Sequence, residues 1–239
     1  MLKQLKILSL ITLLVFSCKN ANEENKNFVI YQSDIKNENL EFYWKDDKSQ
    51  ILKSIGNLKK YVNEENKELI FAMNGGMFTP DNHPKGIFIQ NYKIITELDT
   101  LSGEGNFYMN PNGVFYINEN NEAGIATTKN YNKYCINSKF ATQSGPMLII
   151  SGKINPLFQK NSKNLNIRNG VGISENGKMI FAMSKKEINF YDFAAFFQSM
   201  DCKNALYLDG FVSRTYLPQQ NWIQEDGNFG VIIGITRRK

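Results

Sequence analysis

The chain has 239 residues, 42% of them hydrophobic and 21% charged, with a formal net charge of +5. That length and apolar content support one substantial core and exclude a disordered or low-complexity protein. A charge this small, spread over scattered lysines, excludes a dedicated nucleic-acid binder, and a single histidine without any C-x-x-C pair leaves no zinc-site spacing.

The first element is a processing signal. Lys3 and Lys6 precede an apolar run from Ile7 to Phe16 that is too short to span a bilayer as a folded helix and ends at Ser17-Cys18. Residues 1–17 are therefore expected to be a bacterial lipoprotein signal peptide. Val15-Phe16-Ser17-Cys18 resembles a lipobox, in which Cys18 is acylated and becomes the new N-terminus, and loss of the two lysines leaves a charge of +3. Residues 18–27 read as a polar tether and residues 28–239 as one domain, held by its lipid anchor in the cell envelope, at the outer membrane and facing the periplasm or the surface. In an exported chain Cys135 and Cys202 are able to pair, and their spacing leaves a disulfide open against two free thiols.

Phe28 to Tyr31 reads as the first strand. Ile51, Leu52, Ile55, Leu58, Tyr61 and Val62 recur at helical spacing and predict an amphipathic helix over about 48–64, followed by a buried strand from Leu69 to Met73. Hairpins are predicted around Asn91, on either side of Pro111-Asn112-Gly113, and around Asn118 to Glu122. MLIISGKI turns at Ser151-Gly152, and GVGISENGKMIFAMS turns at Asn176-Gly177. A helix starting near Asn189 carries Phe193, Ala194, Phe196, Phe197 and Met200 and ends at Lys203-Asn204, before a strand from Ala205 to Asp209 and a closing strand from Gly230 to Thr236. The pattern is α+β: a mixed, largely antiparallel sheet with about two main helices in a single domain. Neither Rossmann nor P-loop glycine spacing occurs, so no cofactor is expected.

Four segments carry chemistry. LYLDGFVSRTY, residues 206–216, delivers a carboxylate, a hydroxyl and a guanidinium from one strand end, with Ser213 close behind Asp209, which reads either as a carboxylate placed for acid or base work or as a turn Asp that hydrogen-bonds its own backbone. Asn74-Gly75-Gly76 reads either as a hairpin turn or as a glycine loop whose amides converge on an anion. Ser144-Gly145 in ATQSGPMLII offers a hydroxyl to a ligand oxygen. A serine-hydrolase reading, with His83 as base, is weak because the G-x-S-x-G elbow is missing. Arg168 in NIRNG presents a planar fork matched to phosphate, with a structural ion pair as its competing role.

In these motifs the chain resembles the phosphodiester glycosidase family. The resemblance covers roughly residues 65–237 and rests on the order of FAMNGGMF, GNFYMNPNGVF, ATQSGPMLIISGKI, IRNGVGIS and ALYLDGFVSRTY. It implies hydrolysis of a sugar joined through its anomeric oxygen to a phosphodiester, with release of free sugar and a phosphate monoester. It also implies a cleft built from Asn74, Gly75, Gly76, Ser144, Gly145, Arg168, Asp209, Gly210 and Ser213, with Asp209 and Arg168 as the catalytic pair. The family's usual Leu-Asp-Gly-Gly-Gly-Ser pattern is altered here by Phe211 and Val212, which stiffens the loop and bears on substrate identity. A non-catalytic envelope protein that holds phosphorylated glycans would use the same segments but tolerate loss of Asp209. A metal-dependent phosphodiesterase is disfavoured by the sparse acidic residues.

Overall fold

The computed structural model describes residues 25–134, 136–209 and 211–239. The predicted signal peptide, Cys18, Cys135 and Gly210 lie outside the described residues. Within them the chain forms three sheets, and every strand pairing is antiparallel. The first sheet has the order β1 (Phe28–Ser33), β12 (Met179–Ser184), β11 (Asn169–Ser174), β13 (Cys202–Tyr207), β9 (Met147–Ile150), β10 (Lys153–Ile154). The second runs β15 (Trp222–Ile223), β14 (Thr215–Leu217), β3 (Lys67–Gly76), β16 (Val231–Arg238), β2 (Asn39–Tyr43). The third runs β5 (Lys93–Thr96), β4 (Phe88–Gln90), β8 (Ser138–Ser144), β6 (Gly113–Asn118), β7 (Ala123–Thr127).

The inner faces of all three sheets share one core. Phe42, Phe71 and Ile233 from the second sheet, Phe115 and Phe140 from the third, and Phe181 and Leu206 from the first are all buried there. Ring contacts run from Phe140 through Phe42 and Phe115 to Phe181 and on to Phe71, so no sheet closes without the others. Each such side chain contributes about 1.5–3 kcal/mol of burial. The outer face of each sheet is covered by one helix: α1 (Ile55–Glu64) through Ile55, Leu58 and Val62, α2 (Thr128–Tyr134) through Tyr131, and α3 (Phe190–Ser199) through Phe193, Ala194 and Phe197. The α+β expectation holds.

Local chemistry explains which elements match the sequence reading. Asn91-Tyr92 and Ser151-Gly152 both adopt left-handed φ, the pair of conformations a two-residue hairpin turn requires. α1 starts at Ile55, well after residue 48, because Lys53 takes a φ of 63° and Ser54 caps the helix by accepting from Asn57 N. The hairpin expected around Pro111 is absent: its first arm is instead a 3-10 turn, Asn106–Tyr108, that buries Phe107. α3 ends at Ser199 because Asp201 turns left-handed, and Lys203-Asn204 belong to β13. Part of the predicted tether, Asn25–Asn27, forms a 3-10 turn leading into β1.

Candidate active site

The site grows from two buried asparagines on different sheets. Asn169, the first residue of β11, donates through Nδ2 to Asn74 O and Asn74 Oδ1, both at 2.9 Å, and accepts from Asp209 N through Oδ1 at 2.9 Å. Asn74 Oδ1 also accepts from Arg214 N at 2.9 Å. Every oxygen in this knot faces an N–H donor, so the orientation of both amides is dictated by their partners. A carboxylate at position 169 would lose the donor that holds Asn74. The third sheet joins through Ser144, whose hydroxyl donates to Leu208 O at 2.6 Å, and through Pro146 O, which accepts from Tyr207 N at 3.1 Å. Three segments far apart in sequence thus converge where the ends of β3, β8 and β13 meet.

Asp209 stands at the rim of this knot, half-buried. Its Oδ1 accepts from Phe211 N at 3.2 Å, and its backbone oxygen accepts from Ser213 Oγ at 2.7 Å, so the turn from 209 to 213 is closed on itself. Phe211 projects from that turn and is 92% exposed, while Val212 packs against the cluster beneath α1. Inside the knot, Asn74 Nδ2 is buried and has no hydrogen-bond partner among the described residues. A buried donor of this kind costs stability unless an acceptor reaches it.

Several predicted roles change once the side chains are placed. Asn74-Gly75-Gly76 is neither a hairpin turn nor an anion nest: β3 continues through Gly76 with a shift of register against β16 at Gly75, and neither glycine has a positive φ. Its glycines instead permit close packing, since a Cβ on Gly75 would collide with Ile233 Cγ1 and one on Gly76 with Thr142 Oγ1. Gly145 is similarly confined, 2.7 Å from Asn112 Cβ and 2.8 Å from Phe107 O at the position a Cβ would take. Ser144 is fully buried with its hydroxyl given to a backbone oxygen. His83 pairs through Nδ1 with Asp81 at 2.8 Å in the exposed 79–83 turn, so no Ser-His pair forms.

Arg168 is likewise not placed as a free anion fork. It has no exposed surface, and its guanidinium lies 3.7 Å from the centre of the Phe190 ring. Nε donates to Ile188 O at 2.8 Å, Nη2 to Asn164 O and Oδ1 at 2.9 and 3.1 Å, and Nη1 to Tyr207 OH at 3.4 Å. Burial pulls its pKa below the ordinary arginine value. Successive side chains of an extended chain point to opposite faces, so with Arg168 under α3, its neighbour Asn169 enters the knot. Asn169 is the residue the sequence reading passed over. A polar side chain opening an otherwise apolar strand was the available signal, but its partners lie 95 and 40 positions away.

A family model described as phosphodiester glycosidase matches residues 67–235, a span holding β3, β8, β11 and the 206–216 segment. The chain belongs to the phosphodiester glycosidase family. It is 36% identical over 181 residues to the uncharacterized protein YigE of Escherichia coli, covering 75% of this chain and 70% of that one. The fold is shared with the zebrafish N-acetylglucosamine-1-phosphodiester alpha-N-acetylglucosaminidase catalytic domain, auto-inhibited by its pro-peptide, at a TM-score of 0.60 and 15% identity over 88% of this chain and 83% of that one. An exported protein of Burkholderia pseudomallei has the same fold, at a TM-score of 0.59 and 8% identity over 87% and 73% of the two chains.

In this member of the family, no group of three or more His, Cys, Asp or Glu side chains among the described residues is placed to hold a metal ion. A groove of about 640 Å³ runs along α1, lined by Lys59, Lys60, Lys67 and Tyr216. Asn74, Asn169 and Asp209 are not among its lining residues.

Proposed function

We propose that the chain hydrolyses the bond between the anomeric carbon of a sugar and a phosphodiester oxygen, at the bacterial cell envelope. The oxygen of the broken bond leaves with the phosphate monoester, and water supplies the hydroxyl of the free sugar. A phosphate monoester ionises with a second pKa near ~6, so it departs without the full protonation an alkoxide needs, and one carboxylate suffices where ordinary glycosidases use two. Asp209 is that carboxylate, acting on water or on the anomeric carbon, and Asn74 Nδ2 orients a substrate oxygen. Arg168 becomes a positioning residue that fixes Tyr207 and the backbone entering β11. Acylation at Cys18 would tether the domain to the membrane.

The observation that carries this reading is the hydrogen bond from Asp209 N to Asn169 Oδ1, because the same amide grips Asn74 and so binds the carboxylate-bearing turn to a second sheet. The test is release of reducing sugar from a panel of sugar phosphodiesters by the wild type and by Asp209→Asn. Turnover by the wild type and a loss of about 10²–10⁴ in kcat for a folded Asp209→Asn are expected. Equal turnover in both, or binding without turnover across the panel, would overturn the assignment.

A further inference from the structure

If a phosphate leaves at Asp209, its charge must be met by a cation on the same turn. Among the described residues of the motif segments there are two arginines, and Arg168 is buried and committed to Phe190, Ile188, Asn164 and Tyr207. Arg214 is different. Its backbone N–H is fixed on Asn74 Oδ1, and its guanidinium folds back onto the preceding residue, with Nη1 donating to Ser213 O at 3.0 Å. Its Nε donates to both carboxylate oxygens of Asp226 at 2.9 Å, which leaves Nη2 with no acceptor among the described residues.

We propose that Arg214 binds the phosphate of the substrate, and that the Asp226 carboxylate is the group the phosphate displaces. The proposal rests on the phosphodiester reading of the site. Asp226 holds its carboxylate on the Nε edge of Arg214, and a phosphate brings the same kind of acceptor oxygen with more charge, able to take Nε and Nη2 together. The pair is also made to exchange: the side chains are 36% and 65% exposed, and Asp226 sits on the irregular 224–229 segment rather than in a strand. Exposed pairs of this kind are weak, and a phosphate with more charge competes well. The backbone of Arg214 does not need to move, because the asparagine knot already holds it in register with Asp209.

The experiment uses the mature chain as wild type, Arg214→Ala, Arg214→Lys and Asp226→Asn. Inorganic phosphate binding is measured by calorimetry, and KM and kcat are measured on the sugar-phosphodiester panel. Arg214→Ala should weaken phosphate about 10- to 100-fold and raise KM by a similar factor. Arg214→Lys should recover only part of this, since lysine lacks the fork. Asp226→Asn should tighten phosphate by up to about fivefold, by removing its competitor. Should Arg214→Ala fail to fold, the lysine and Asp226→Asn proteins carry the test alone. Phosphate binding unchanged in the arginine variants, or weakened in Asp226→Asn, would overturn the proposal. The two assignments fail separately: turnover with an unchanged KM in Arg214→Ala keeps the hydrolase and removes this site, whereas the calorimetric pattern without turnover keeps the site and removes the hydrolase.

Discussion

Asn169→Ala is the substitution that asks most of the site. The side chain is fully buried and takes part in three hydrogen bonds, two given to Asn74 and one received from Asp209 N. Each net bond is worth about 1 kcal/mol, and the amide of Asp209 and the oxygens of Asn74 are left short of partners, so a destabilisation of about 2–4 kcal/mol is expected. In a domain of this size that corresponds to a drop in Tm of about 5–15 °C. Urea unfolding at neutral pH measures the first figure and calorimetry the second. The variant should also lose kcat while folded, because Asp209 is no longer held to β11. A double-mutant cycle with Asn74→Ala isolates the contact: a coupling of about 1 kcal/mol or more is expected, since the two residues share their bonds. Additive losses, or a cost for Asn169→Ala below about 0.5 kcal/mol, would mean that the knot does not hold the turn and that Asp209 is positioned by something else.

The other outcomes follow from the same contacts. Arg168→Lys should cost about 2–4 kcal/mol, because lysine cannot reproduce the fork or the plane on Phe190, while KM stays within about twofold; a large rise in KM with unchanged stability would return Arg168 to the phosphate. Gly76→Ala should cost about 1–3 kcal/mol through its collision with Thr142 Oγ1, and adding Thr142→Ala should recover at least half in urea unfolding; no recovery would place the strain elsewhere. The hydrogen bond from Arg214 holds the Asp226 carboxyl below its ordinary value of 3.8, so the pair adds stability at neutral pH that is lost as pH falls below that value. Given its exposure the contribution is under about 1 kcal/mol, and the gap in stability between wild type and Asp226→Asn should be level from pH 7 down to about pH 4 and narrow as pH falls further. A gap that does not narrow below about pH 4 would mean that Asp226 acts through something other than its charge.

How much of this was legible in the chain depends on how local the cause is. The hairpins at Asn91 and Ser151, two-residue turns, and at Asn176-Gly177, a three-residue loop closed by a left-handed Gly177, were legible because a short turn depends on the residues in it. The start of α1 was not, since Ile51 and Leu52 continue the apolar spacing while the backbone at Lys53 has already left the helix. β8 escaped notice because Phe140 and Ala141 are followed by Thr142, Gln143 and Ser144, which look like surface residues. All three are buried, and Gln143 is satisfied by Ile87 N, Asp99 N and O, and Thr128 from other parts of the chain. The same non-locality hid Asn169. Motif order was enough to find the segments that meet, but which side chain of IRN enters the site depends on which face of β11 lies beneath α3.

That division of faces has a consequence for how the site works. Arg168 and Asn169 are neighbours, yet one stiffens the helix side of β11 and the other the knot, so any movement of the strand entry shifts both together. Tyr207 receives Arg168 on one side, and its own amide donates to Pro146 O on the other, two residues before Asp209. Asp209 is thus fixed through its backbone by groups from the first and third sheets, and Arg214 through its backbone by Asn74 from the second. The side chains of both remain at least partly exposed. A carboxylate and a guanidinium whose backbones are held by three packed sheets keep their separation. For a reaction whose leaving group needs charge compensation more than a proton, that fixed separation is the main thing the fold has to provide.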